Sequence, residues 1–268
     1  MKIKSPYLVK PNAKVRLAKI SSSDTGGYKS EEAAKAVLAK HSGALADLQD
    51  VFYASQSKAL LIVLQGMDTA GKDGTIRHIF SGVNPQGCDV AAFKVPTPLE
   101  ARHDFLWRVH AQVPPRGMIG IFNRSHYEDV LSPRVHKLIS GDVMRRRLDN
   151  INGFESMLVD NDVVILKFYL HISRDEQTSR LQSRIDSAKK NWKLSEADLH
   201  ERKFWPQYME AYNEILSTTS HKHAPWFVIP CDNKWYRNVA ISAIIVEAMQ
   251  GLKLKFPAAT VDATAIKL

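Results

Sequence analysis

The segment Ala59-Leu-Leu-Ile-Val-Leu64-Gln-Gly66-Met-Asp-Thr-Ala-Gly71-Lys72 constrains this chain more than any other. Six apolar residues long enough for a buried strand run into two glycines with four residues between them, then a lysine, then a stretch of helical character from Lys72 to Phe80. The order strand, glycine-rich bend, helix is the one in which backbone N–H groups can wrap an anion. The helix N-terminus adds its positive dipole end, and the lysine adds a mobile cation. Gly66, Thr69, Ala70, Gly71, Lys72, Asp73 and Gly74 are therefore expected to bind phosphate.

The rest of the chain repeats the alternation that such a unit needs. An amphipathic helix is expected from Ser30 to about Tyr53, with Ala34, Val37, Leu38, Leu45 and Leu48 on one face. Strands are expected at Val90–Val95, Met118–Phe122, Val163–Leu170 and Trp226–Ile229. Helices are expected at Ala101–Gln112, Gly141–Val159, Glu176–Asp186, Glu196–Leu216 and Asn238–Leu252. This pattern predicts an α/β fold of the P-loop kinase kind: three layers, a mostly parallel sheet flanked by helices, and a helical lid. Ligands of such sheets sit at the carboxyl ends of the strands. The expected organisation is an N-terminal arm over 1–30, a phosphotransferase domain over 31–255 with its lid at about 174–200, and a C-terminal tail over 256–268.

Composition narrows the partners. The net charge of +9 attracts polyanions. The two cysteines, Cys88 and Cys231, lack disulfide or metal spacing, and no apolar run is long enough to span a bilayer. The expectation is a soluble cytoplasmic protein with no membrane partner. The basic residues gather around the glycine-rich bend, with no helix-turn-helix or RNA-binding signature, so nucleic acid is not an expected partner.

Two departures shape the chemistry. Asp73 follows Lys72 where a Ser or Thr usually holds Mg²⁺, and the bend itself carries Asp68. A carboxylate beside bound phosphate repels it unless a divalent cation lies between, so Asp68 is assigned to Mg²⁺, or to Mn²⁺ in its place. The alternative is a turn residue bonding its own backbone. The strand ending at Phe122 leads into Asn123-Arg-Ser-His-Tyr-Glu-Asp129. Arg124 suits a bidentate grip on phosphate, and Asn123 and Glu128 suit orientation of the acceptor or a second metal. Ser125, His126 and Tyr127 suit capping and packing of a following helix equally well. With no nucleophile motif, direct in-line transfer is favoured over a covalent intermediate.

Together these residues resemble the polyphosphate kinase type 2 family, over about Gln65 to Trp235. Gly66-Met-Asp-Thr-Ala-Gly-Lys-Asp-Gly74 is similar to its variant Walker A and Phe122–Asp129 to its Walker B region, with Asn123 and Glu128 as in its class III subgroup. The resemblance implies phosphoryl transfer between inorganic polyphosphate and purine nucleoside mono-, di- and triphosphates, and a homotetramer or homodimer. It implies catalytic roles for Asp68, Lys72, Asn123, Arg124 and Glu128. The family's usual Walker B aspartate is absent here.

The basic stretch Arg180–Lys193 resembles the family's lid. It brings Arg180, Arg184, Lys189 and Lys193 to phosphate, against the plainer reading of a solvated basic helix, and Trp192 suits base stacking or packing equally. Lys94 and Arg134 are the residues expected to line a polyphosphate channel, with Arg102, Arg108 and His136 as weaker candidates. The rival readings are an ATP-dependent nucleoside or nucleotide kinase and a non-catalytic nucleic-acid-binding protein.

Overall fold

The computed structural model describes residues 3–261; the end of the C-terminal tail, 262–268, lies outside the described residues. Helix α1 (Glu31–Ser55) opens on Ser30, whose hydroxyl accepts from the Ala33 N–H, and buries Ala34, Leu45 and Phe52. It ends where Gln56 turns left-handed, two residues before strand β1 (Ala59–Gln65). Every residue of β1 is buried, as an unbroken apolar run between two helical layers requires.

Four further strands, β2 (Cys88–Ala92), β3 (Ile119–Asn123), β4 (Val163–His171) and β5 (Trp226–Pro230), complete a parallel sheet of order β2-β3-β1-β4-β5. The chain leaves β1, builds β2 and β3 on one side, then returns to place β4 on the other. A crevice opens at that reversal, beyond the carboxyl ends of β1, β3 and β4. The expected α/β architecture is the observed one.

The helices form two packed groups. Helix α2 (Lys72–Ile79) and α1 lie against α9 (Lys234–Gly251), while α4 (Glu128–Val135) packs on α5 (Gly141–Asp160) and α8 (Trp205–Thr218). Between β4 and α8 come α6 (Arg174–Ile185) and the short α7 (Glu196–Glu201). The N-terminal segment is pinned to the sheet. The Val9 N–H donates to the Trp226 carbonyl and the Val228 N–H to the Tyr7 carbonyl, both at 2.9 Å, and Val9, Val15 and Leu17 are buried. The arm thereby covers the open edge of β5.

Three expectations need correction. The helix expected over Ala101–Gln112 shrinks to α3 (Trp107–His110), because the Asp104 carboxylate accepts from the Leu106 N–H at 3.0 Å in a turn that competes with the helix. The helix expected over Glu196–Leu216 divides into α7 and α8. Pro206 lacks an N–H, and its ring would strike the carbonyl four residues back. Helix α4, hidden in sequence by its polar start and by Pro133 in its last turn, is an addition. Among the described residues no helix is long and apolar enough to cross a membrane.

Candidate active site

The bend after β1 holds its shape through backbone conformations that side chains resist. Gly66 has φ 156°, Thr69 φ 66° and Gly71 φ 109°. A Cβ on Gly71 would lie 1.8 Å from Nη1 of Arg237, so this position is closed to any larger residue while that arginine stays. The Ala70 N–H closes the turn on the Met67 carbonyl at 3.1 Å. Lys72 opens α2 and folds back, its Nζ donating to the carbonyls of Gly66 at 2.8 Å and Met67 at 3.4 Å. Burial lowers its pKa, Arg124 adds to the effect, and Asp68, Glu128 and Asp73 oppose it.

The end of β3 faces this bend. Arg124, at φ 63°, donates from Nη2 to Asp68 Oδ1 at 2.8 Å, and its Nη1 lies 3.9 Å from Glu128 Oε2. Asn123 Nδ2 donates to Asp73 Oδ1 at 2.7 Å. Glu128 begins α4 and accepts from Gln65 Nε2 at 3.2 Å. Burial pushes the Glu128 carboxyl above its ordinary range, with Arg124 and Lys72 only partly offsetting it. Arg124 would lose basicity on burial, but Glu128 and Asp68 reverse this and raise its pKa. All five expected catalytic side chains thus converge, and before any ligand arrives their charges are largely paired with one another.

Behind them lies a buried ionic cluster that sets the loop between Arg124 and Glu128. Glu155 of α5 accepts from His126 Nε2 at 3.1 Å, from the Tyr127 hydroxyl at 2.9 Å and from Lys167 Nζ of β4 at 2.5 Å. The same ammonium reaches the Thr219 carbonyl at 2.7 Å. Glu155, Lys167, His126 and Tyr127 are fully buried. Burial would raise the Glu155 pKa, but Lys167 and His126 outweigh it and hold the carboxyl below its usual value. For His126 and Tyr127 the structure thus gives the packing role.

A cleft of about 1380 Å³ opens over the bend. Lys94, just beyond β2, Arg184 and Lys193 line it. Arg184 is held by Asp198 at 3.3 Å and by the Lys193 carbonyl at 3.0 Å. The Lys193 ammonium lies 5.0 Å from the ring of Trp192, which is 77% exposed.

Arg134 and Lys189 are not among the lining residues. Arg134 sits in the last turn of α4, and Lys189 contributes its carbonyl to Trp192 Nε1 at 3.1 Å. Arg180 lines the cleft, but its guanidinium points to main-chain carbonyls rather than standing free for phosphate.

Further residues that sequence reading did not assign to phosphate line the same cleft. Lys35 of α1 and Lys234 of α9 face it, as does the indole of Trp235. Arg237, in the segment Asn233–Arg237 that resembles the family's C-terminal signature and for which a structural role is expected from sequence, is buried in the first turn of α9.

Among the described residues no three His, Cys, Asp or Glu side chains gather as a metal cage. A divalent ion in this site would rest on one or two carboxylates and complete its shell with phosphate oxygens and water, which is how Mg²⁺ is commonly held. Asp68, partly exposed at the cleft, and Asp73 supply that donor set.

Comparison with known proteins gives the same answer. Residues 28–257 match the family model described as Polyphosphate kinase 2. The chain is 47% identical over 252 residues to the AMP/ADP-polyphosphate phosphotransferase of Meiothermus ruber, covering 94% of each protein. It is 43% identical over 273 residues to the ADP-polyphosphate phosphotransferase of Rhodopseudomonas palustris, covering 97% of this chain and 94% of that one. The crystal structure of polyphosphate kinase 2 from Arthrobacter aurescens TC1 superposes with a TM-score of 0.90 at 42% identity, covering 96% of this chain and 95% of that one. The chain belongs to the polyphosphate kinase 2 family.

Proposed function

We propose that this protein transfers a phosphoryl group, with Mg²⁺, between inorganic polyphosphate and the nucleotides AMP and ADP, giving ADP and ATP. The observation that carries the reading is the convergence of Lys72, Arg124, Asp68, Asn123 and Glu128 on one glycine-rich bend beside a cleft lined with basic residues. The names of the full-length relatives support polyphosphate and adenylates as the two substrates.

In the transfer, the bond from the terminal phosphorus of polyphosphate to its bridging oxygen breaks. A bond forms from that phosphorus to a terminal oxygen of the nucleotide, and polyphosphate shortens by one unit. One phosphoanhydride bond replaces another, so the reaction is near-balanced and runs in both directions. The accepting oxygen belongs to a phosphate already ionised at neutral pH, with a second pKa of about 6. No side chain need take its proton, so the amide of Asn123 is compatible with the transfer.

Lys72 and Arg124 spread the charge of a loose in-line transition state, and the loop amides hold the oxygens that do not move. Asp68 would hold Mg²⁺, which would supply neutralisation of phosphate charge. Glu128 keeps Arg124 aimed across the bend. The expected partner for the charge Arg124 gives up on Asp68 is the incoming polyanion.

The test is an ATP-free transfer assay with polyphosphate, Mg²⁺ and AMP or ADP, following ATP and ADP. ADP and ATP formation is expected, and Lys72→Ala is expected to lower kcat by about 10²–10³-fold in folded protein. Absence of product with both acceptors, together with phosphorylation when ATP is the donor, would replace this reading by that of an ATP-dependent kinase.

A further inference from the structure

Arg180 offers five N–H donors, and all of them are used. Nε meets Glu176 Oε1 at 2.7 Å. Nη1 meets the carbonyls of Thr69 at 3.0 Å and Ala70 at 3.1 Å, and Nη2 meets those of Cys231 and Asp232. One turn earlier on α6, Gln177 is buried and its Nε2 donates to the Asp68 carbonyl at 3.0 Å, while its Oε1 accepts from Arg202. From α9, Arg237 Nη1 reaches the Ala70 carbonyl at 3.2 Å. Three successive carbonyls of the bend, those of Asp68, Thr69 and Ala70, are therefore held by side chains of α6 and α9.

We infer that Gln177 and Arg180 are positioning residues that aim the amides of the bend, Arg180 acting through the loop rather than by touching phosphate. In a planar trans peptide the C=O and the following N–H point in opposite directions. Holding the carbonyls of Asp68 and Ala70 against α6 and α9 turns the N–H groups of Thr69 and Gly71 the other way, toward the cleft. The positive φ of Thr69 and of Gly71 is the backbone cost of that arrangement, and bonds to the carbonyls sustain it. A guanidinium suits the task because its rigid fork spans two strand ends, after β1 and after β5, in one plane. Lysine carries the charge but one donor group instead of three, and it cannot bridge them.

The inference also sorts the basic stretch expected to act as one lid. Helix α6 is bonded to the bend and belongs to its fixed support. Arg184 stands one turn further along the same helix and lines the cleft, and Lys193 lines it from the segment that follows.

The assignment deepens the phosphoryl-transfer reading, and its test keeps the two separable. Calorimetry with tripolyphosphate and Mg²⁺ on Arg180→Lys, Arg180→Ala and Gln177→Ala gives the stoichiometry, which reports the folded fraction, and the Kd of the molecules that are folded. The expected result is that Arg180→Lys binds as weakly as Arg180→Ala within about threefold, both at least about tenfold weaker than the unaltered protein. Gln177→Ala, which removes no charge, should weaken binding by about three- to tenfold.

The ATP-free transfer rates should fall in the same order. Binding by Arg180→Lys within about twofold of the unaltered protein, or an unchanged Kd in Gln177→Ala, would overturn the assignment in favour of direct charge contact or simple stabilisation. If Arg180→Ala fails to fold, the other two variants decide. If the unaltered protein binds tripolyphosphate but transfers nothing, the functional reading fails and the positioning result stands.

Discussion

Replacing Lys167 by Met tests whether the ionic cluster behind the site is as finely balanced as its geometry implies. Lys167 and Glu155 are both fully buried, and the ammonium makes three bonds, to Glu155, Tyr127 and Thr219. Removing one member of such a pair strands a carboxylate in a dry interior, at a cost of about 3–5 kcal/mol. For a chain of this size that corresponds to a fall in Tm of roughly 6–20 °C.

The sign of the pH dependence is more telling. In the native protein the folded pKa of Glu155 is depressed, so its contribution is present above the unfolded pKa and lost as pH falls through the folded value. In Lys167→Met the balancing cation is gone, burial raises the carboxyl, and protonation relieves the strain. The gap in Tm between the two proteins should therefore narrow as pH falls from about 8 to about 5.

Thermal unfolding across that range measures it, and the ATP-free assay should show a parallel loss because His126 and Tyr127 lie between Arg124 and Glu128. Adding Glu155→Leu should recover part of the loss, the Thr219 carbonyl still lacking its donor. A cost below about 1 kcal/mol, or a gap that widens on acidification, would refute this account of the cluster.

Gly71→Ala places a methyl group at φ 109° and 1.8 Å from the Arg237 guanidinium. It should cost about 1–3 kcal/mol in stability and abolish measurable tripolyphosphate binding, and retention of normal affinity would show that the bend tolerates a wider opening. Glu128 has a raised pKa, so its anionic form, which holds Arg124, fails as pH falls through a window above the ordinary glutamate range. The acidic limb of log(kcat/KM) should lie in that window and move in Glu128→Gln, leaving only the ionisation of the substrate phosphates; an identical limb in the variant would exclude Glu128 as its source.

The phosphate bend was legible because each of its requirements is local. Gly66 and Gly71 answer a backbone need, Lys72 a charge need, and the apolar run before them a burial need, all within fourteen consecutive residues, Ala59 to Lys72. The same holds for Asn123, Arg124 and Glu128, which follow a strand whose end the parallel sheet must bring beside β1. Periodicity also placed the long helices and the strands, and it failed where a single side chain or ring decided the matter, as at Asp104 and Pro206.

Orientation was another matter. From sequence, Arg180 and Arg184 share a helical stripe and look alike, yet one is locked onto carbonyls from two strand ends and the other faces the cleft beside Asp198. Lys167 reads as an odd charge in a strand until Glu155, on the preceding helix α5, is seen against it together with the Thr219 carbonyl. A motif states which groups are near one another along the chain. Which donors are already spent, and which remain for a ligand, depends on partners far apart in sequence that only packing of the layers brings together.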